Sequence, residues 1–199
     1  MARNSRRALW TAKVLGNLPA SKRSIDSDEA LAARHSPLGR RAFSGVVLGI
    51  DPSLRGTGLA LVEFSPHGAK LLFSCTLVFK PKVPLPICLG EIFEGVRETL
   101  TRAKVKHVAI EETIFVQSRK VVHILGAARG AAIAAAARGG VEVFEYAPRR
   151  VKQAVVGLGG ASKEQVIALV AQHLSCVHLP SDEADAAATA LCHAFTWRE

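Results

Sequence analysis

With 199 residues, 49% of them hydrophobic, the chain is long enough for one well-packed domain, and no apolar run approaches the roughly 20 residues of a bilayer span. The formal charge of +9 points to an anionic partner, yet its distribution tempers that reading. Residues 1–45 hold nine Lys/Arg against three Asp/Glu, and residues 46–199 hold seventeen against fourteen, so most of the excess sits at the N-terminal end.

Residues 1–43 are polar and basic without sustained periodicity, and are expected to form a disordered extension ahead of a domain over 44–199. A targeting presequence and a start assigned too far upstream fit the same composition, although Asp26, Asp28 and Glu29 argue against a presequence. From Gly45 the pattern changes. "GVVLGID" reads as a buried strand, and "GLALVEFS" and "AKLLFSCTLVF" follow after short turns, the second marked by Pro66-His67-Gly68. Three strands in succession make an antiparallel meander. Pro81, Pro84 and Pro86 lead into a helix over about Ile87–Ala103, with Ile92, Val96 and Leu100 on one face. "HVAIEE" is another short strand. An alanine-rich helix follows over about Lys120–Arg138; Arg129 and Arg138 within it favour a soluble helix. Then come the strand "VEVFEY" and helices near Pro148–Val156, Ser162–Leu174 and Ser181–Phe195. This order predicts a mixed α/β layout with one sheet between helices. Cys75, Cys88, Cys176 and Cys192 lack C-x-x-C spacing and read as buried free thiols of a cytoplasmic protein.

The carboxylates fall in suggestive places. Asp51 ends the first strand, where an apolar run gives way to Pro, Ser, Arg and two glycines. Glu111 and Glu112 end the fourth strand. Asp182 and Asp185 lie three apart at the start of the last helix and so share a face. Like charges gathered in a fold raise one another's pKa unless a cation neutralises them, and oxygen donors without His or Cys suit Mg²⁺ or Mn²⁺ better than zinc. Each acid also has an ordinary explanation: Asp182 as a helix cap or dipole partner, one of Glu111 and Glu112 as a solvated residue. His123, His173 and His178 read as packing or surface residues. His193, two turns beyond Asp185, is open to a supporting role at the site but more simply packs, and Arg129 is equally a phosphate contact or an ordinary helix position.

Five blocks, "GIDPSLRGTG", "AIEETIF", "ARGAAIAAAA", "EYAPRRVKQAVVGLGGASKEQV" and "DEADAAATALCHA", closely resemble, in that order, the RuvC family of Holliday-junction resolvases. The resemblance covers about Gly45–Ala194 and implies an RNase H-like fold, a mixed central sheet flanked by helices. It implies that Asp51, Glu111, Asp182 and Asp185 are the catalytic, metal-binding carboxylates, with Asp51 central and Glu112 a neighbour. It implies two Mg²⁺ per active site, with Mn²⁺ as a substitute, roughly 3.5–4 Å apart and acting on an in-line displacement. Products would carry 5′-phosphate and 3′-hydroxyl ends. DNA contacts fall on Lys152 and Lys163. The junction-stacking phenylalanine of relatives aligns without gaps to Ile114, with Phe115 beside it, and Phe115 is taken as the DNA contact. Ser53 stands where relatives often have glycine, and Gln117-Ser118 where they often have Lys-Asn.

By the same resemblance the protein is a homodimer that makes paired symmetric nicks in four-way junction DNA and works with the RuvA–RuvB branch-migration complex. The small side chains at Ala127, Ala128, Ala131, Ala134 and Ala135 would let a second helix approach, or would pack on the molecule's own sheet. The competing readings are a catalytically inactive junction-binding protein and another RNase H-like nuclease of the YqgF type. An actin-like or sugar-kinase ATPase shares "GIDxSxxGTG", but needs a duplicated domain and a second phosphate loop that this chain lacks.

Overall fold

The computed structural model describes residues 43–112 and 118–198. Strands β1 (Gly45–Asp51), β2 (Gly56–Ser65) and β3 (Gly68–Val78) form the expected meander, and β4 (Val105–Glu111) and β5 (Glu142–Tyr146) complete a five-stranded sheet in the order β3-β2-β1-β4-β5. β1 runs antiparallel to β2 but parallel to β4, and β4 runs parallel to β5. The parallel pairs need helical crossovers, which α1 (Leu85–Thr101) and α2 (Arg119–Arg138) supply. After β5 come α3 (Pro148–Val156), α4 (Lys163–His173) and α5 (Ser181–Thr196). Each boundary lies within two residues of the sequence expectation.

Side-chain alternation divides the sheet into two faces. Leu48 and Ile50 of β1, Leu59 and Leu61 of β2 and Val108 and Ile110 of β4 pack with α1 and α2. Val47, Ala60, Val62 and Ala109 face the other way, toward α3, α4 and α5. The same alternation turns Asp51 and Glu111 toward α5 and leaves Glu112 exposed. Asp51 and Glu111 follow directly on the paired residues Ile50 and Ile110, so the two acids end adjacent parallel strands side by side.

α5 lies unusually close to β1 and β2, and glycines permit it. A Cβ on Gly49 would stand 2.0 Å from the Ala186 carbonyl oxygen, and one on Gly58 would stand 2.0 Å from that of Asp182. The run of buried alanines in α5 (Ala184, Ala186, Ala187, Ala188, Ala190) keeps the helix side of this contact equally thin. Backbone against backbone is how the first turn of α5 reaches the end of β1.

Arg55, in the turn between β1 and β2, is structural. Its Nη1 donates to the carbonyls of Lys80 (2.8 Å) and Val83 (3.0 Å), and its Nη2 to that of Pro81 (3.0 Å). The guanidinium thus satisfies a proline-rich loop that has few N–H donors of its own.

α2 has the length and hydropathy of a membrane span. Its Ala128, Ala132, Ala135 and Ala136 are nonetheless fully buried against the sheet. This corrects part of the expectation for a second helix: Ala128 and Ala135 belong to the molecule's own core. The outward strip is Gly126, Gly130 and Ala134. Arg129, on the same helix, pairs through Nη2 with Glu145 of β5. All four cysteines are free; Cys88 and Cys192 are buried, and Cys75 and Cys176 half-buried.

Phe43, at the edge of the expected extension, packs into the domain. Its ring meets those of Phe64, His107, His193 and Trp197 at centroid distances of 5.1–5.9 Å.

Candidate metal centre

Asp51 reaches the site from the end of β1, Glu111 from the end of β4, and Asp182 and Asp185 from the first turns of α5. One carboxylate oxygen from each of Asp51, Asp182 and Asp185 lies within 4.8 Å of the others. No cap role diverts Asp182, because the N-cap of α5 is Pro180 and no side chain caps the helix. Gly56 leaves room for the Asp182 carboxylate: a Cβ there would come within 2.8 Å of its Oδ2.

The Asp51 carboxyl is pushed up to about 7, chiefly by burial and then by the charges of Asp185 and Asp182, against an opposing pull from Lys163. Glu111 is likewise raised to about 7, first by burial and then by Asp51 and Asp185, while Lys152 and Lys163 draw it down. Two neighbouring carboxylates that hold protons near neutrality are a centre short of positive charge. A hard divalent cation matches the deficit and the all-oxygen donor set. Asp51, Asp182 and Asp185 are the residues placed to hold it, with Glu111 alongside.

Both expected DNA-contacting lysines border this centre. Lys163 is the first residue of α4, and a capping box fixes it there: Gln165 N–H donates to Ser162 Oγ (3.4 Å) and Ser162 N–H to Gln165 Oε1 (2.9 Å). Its Nζ lies 2.9 Å from Asp185 Oδ2, and the Lys163 ammonium is held above its usual range chiefly by that hydrogen bond. Lys152, on α3, is near enough to pull on Glu111. Phe115 and Ile114 lie outside the described residues.

His193 does not support the centre. It is fully buried, with Tyr146 Oη 2.7 Å from its Nδ1 and His107 Nδ1 2.9 Å from its Nε2. Burial above all, then His107 and Lys106, pushes it down to about 4, so the imidazole is neutral and serves packing. His123 and His178 are exposed, and His173 packs its ring on Phe195.

Sequence reasoning missed the contacts that bring the acids together: the close approaches at Gly49 and Gly58, and the hydrogen bond from Ser74 to Glu183 beside Asp182. Glycine inside a strand is a signal for the first, since it often marks where another backbone comes near.

Residues 47–193 match the family model described as crossover junction endodeoxyribonuclease RuvC. A RuvC of that description from Burkholderia thailandensis is 44% identical over 151 residues, spanning 74% of this chain and 82% of the relative. The RuvC structure from Thermus thermophilus is 38% identical, with a TM-score of 0.68 over 75% of this chain and 93% of that one. The same protein in complex with a Holliday junction substrate gives a TM-score of 0.68 at 37% identity. The mixed sheet between helices is the RNase H-like fold. The fold, the acidic centre and these matches agree: the chain belongs to the RuvC family of crossover junction endodeoxyribonucleases.

Proposed function

We infer that this endonuclease resolves four-way DNA junctions by a Mg²⁺-dependent pair of symmetric nicks, with Asp51, Glu111, Asp182 and Asp185 as its catalytic carboxylates. The observation that carries the reading is the gathering of Asp51, Asp182 and Asp185 oxygens within 4.8 Å on a chain of this family. When bound, the cations would supply Lewis-acid stabilisation of the phosphoryl group and activation of the attacking water. The residues do the positioning. Asp51 and Glu111, on adjacent strands, form the rigid side of the centre, and α5 brings Asp182 and Asp185 against it. The ammonium groups of Lys163 and Lys152, at the rim, are placed to orient the scissile strand by its phosphates, a contact that reads no bases. Phe115 is the proposed stacking contact at the junction.

Paired nicks require two sites related by symmetry, hence a homodimer. The exposed strip of Gly126, Gly130 and Ala134 on α2 supports one: beyond the helix's own backbone, no atom of the described residues lies within 4 Å of where a Cβ on either glycine would stand. A cytoplasmic location and action alongside the RuvA–RuvB complex complete the proposal.

The test is cleavage of a synthetic four-way junction beside linear duplex of the same sequence, with and without Mg²⁺. Paired nicks in the junction alone, dependent on the cation, are expected. Binding without cleavage would favour an inactive junction-binding protein, and indifference to branching would favour a nuclease of another type.

A further inference from the structure

The helix that carries Asp182 and Asp185 starts with few fastenings of its own. Its N-cap is Pro180, no side chain caps it, and the buried Ser181 hydroxyl has no hydrogen-bond partner among the described residues. The first N–H groups of a helix have no partner within it, so a side-chain cap normally steadies that turn. Here the first turn bears Asp182 and the next bears Asp185, two of three carboxylates that crowd within 4.8 Å, and their repulsion pushes this end of the helix away from β1. Asp51 sits in the sheet ladder and cannot yield, whereas the end of α5 can.

Lys163 holds Asp185 from the side of α4, and the grip on the first turn itself comes from Glu183. Ser74 Oγ donates to Glu183 Oε2 at 2.5 Å, and Thr76 Oγ1 reaches Oε1 at 3.5 Å. Ser74 and Thr76 pair with Ala60 and Gly58 in the β2–β3 ladder, and their two-residue spacing turns both toward α5. The grip acts where the helix touches the sheet, since a Cβ on Gly58 would also lie 3.3 Å from the Glu183 backbone nitrogen. Glu183 thus stands between the two site aspartates in sequence but directs its carboxylate to the edge strand.

We propose that Glu183 is a positioning residue: its carboxylate, held by Ser74 and Thr76, latches the first turn of α5 to β3 and keeps Asp182 and Asp185 against Asp51, ready for the cation. This rests on the reading of the acidic cluster as a metal centre. A latch of this kind contributes affinity for the metal itself, because without it binding must first pull the turn back into place.

The test measures Mn²⁺ binding to the full chain without DNA, by paramagnetic-resonance or calorimetric titration. It compares wild type, Glu183→Ala, Ser74→Ala with Thr76→Val, and the combination. Loss of a charge-assisted bond predicts roughly tenfold weaker Mn²⁺ binding for Glu183→Ala and a similar loss for the hydroxyl pair. The combination should be no worse than either, since both remove one interaction. Glu183→Gln, which keeps an acceptor for Ser74, should recover most of the affinity. Wild-type affinity in Glu183→Ala, fully additive losses, or a Gln variant as weak as Ala would each overturn the latch. Should Glu183→Ala fail to fold, the hydroxyl pair and the Gln variant carry the comparison. A wild type that binds Mn²⁺ but leaves four-way junctions uncut would refute the assigned function and leave this result readable.

Discussion

Replacing Asp51 by asparagine should abolish cleavage and, without metal, make the protein more stable. The folded Asp51 carboxyl sits at about 7 against an ordinary 3.8, so the folded state binds more protons than the unfolded one between about pH 4 and 7. Stability contributed at this site is therefore present at low pH and lost as pH rises through that window. The shift is about three units, which at 1.36 kcal/mol per unit sets a ceiling of about 4 kcal/mol on the penalty above pH 7. Asp51 and Glu111 share part of their repulsion, and Asn retains a buried polar group, so a gain of about 2 kcal/mol is the working figure. For a domain of this size that is about 4–8 °C in Tm. The assay is thermal unfolding of wild type and Asp51→Asn in EDTA from pH 4.5 to 8. Taking the difference cancels the opposing titration of buried His193. The Asn variant should lead above pH 7, and the lead should shrink toward pH 4.5. Adding Mg²⁺ at pH 7.5 should raise the Tm of wild type and leave the variant nearly unmoved. A variant less stable than wild type at every pH, or one that still cleaves junctions in Mg²⁺, would refute the argument that Asp51 is a crowded metal ligand.

Lys152→Ala and Lys163→Ala should each slow junction cleavage about tenfold or more and alter its salt dependence, read by a cleavage titration in NaCl. The Lys163 change should be the larger, because Lys163 also pairs with Asp185. Deleting residues 1–42 should leave junction cleavage in place while lowering affinity for non-specific duplex. Extending the deletion through Phe43, whose ring is enclosed by four others, should cost about 3–5 kcal/mol of stability, seen as a drop in Tm. Gly130→Glu, on the exposed strip of α2, should give monomers by sizing that bind Mn²⁺ normally but make no paired nicks; Ala135→Glu should instead unfold the domain, because Ala135 is buried in its own core.

Strand and helix positions were legible in the sequence because they rest on short-range order. Apolar runs bounded by turn residues marked β1 and β2, Pro66-His67-Gly68 marked the second turn, and the Ser162-x-x-Gln165 pattern is a local signal for the start of α4. The four acids were legible as a set through the resemblance, and alternation along β4 accounts for Glu111, rather than Glu112, facing α5. Inferring that they needed a cation required only that like charges meet.

How they meet was decided by tertiary structure. The Ser74–Glu183 bond joins residues 109 apart in sequence, and His107 finds His193 across 86. No periodicity in a single strand or helix encodes such pairings, because each half looks complete without the other. Nothing local to Arg55 marks it as the donor to the three carbonyls that the fold brings to it. On α2, composition alone made every alanine equally suited to its own core or to a second helix. Packing against the sheet then buried Ala128, Ala132, Ala135 and Ala136 and left Gly126, Gly130 and Ala134 outward. Local sequence set which residues could carry charge and where strands would end; the backbone contacts at Gly49 and Gly58, made only in the folded chain, bring the carboxylates close enough to share a cation.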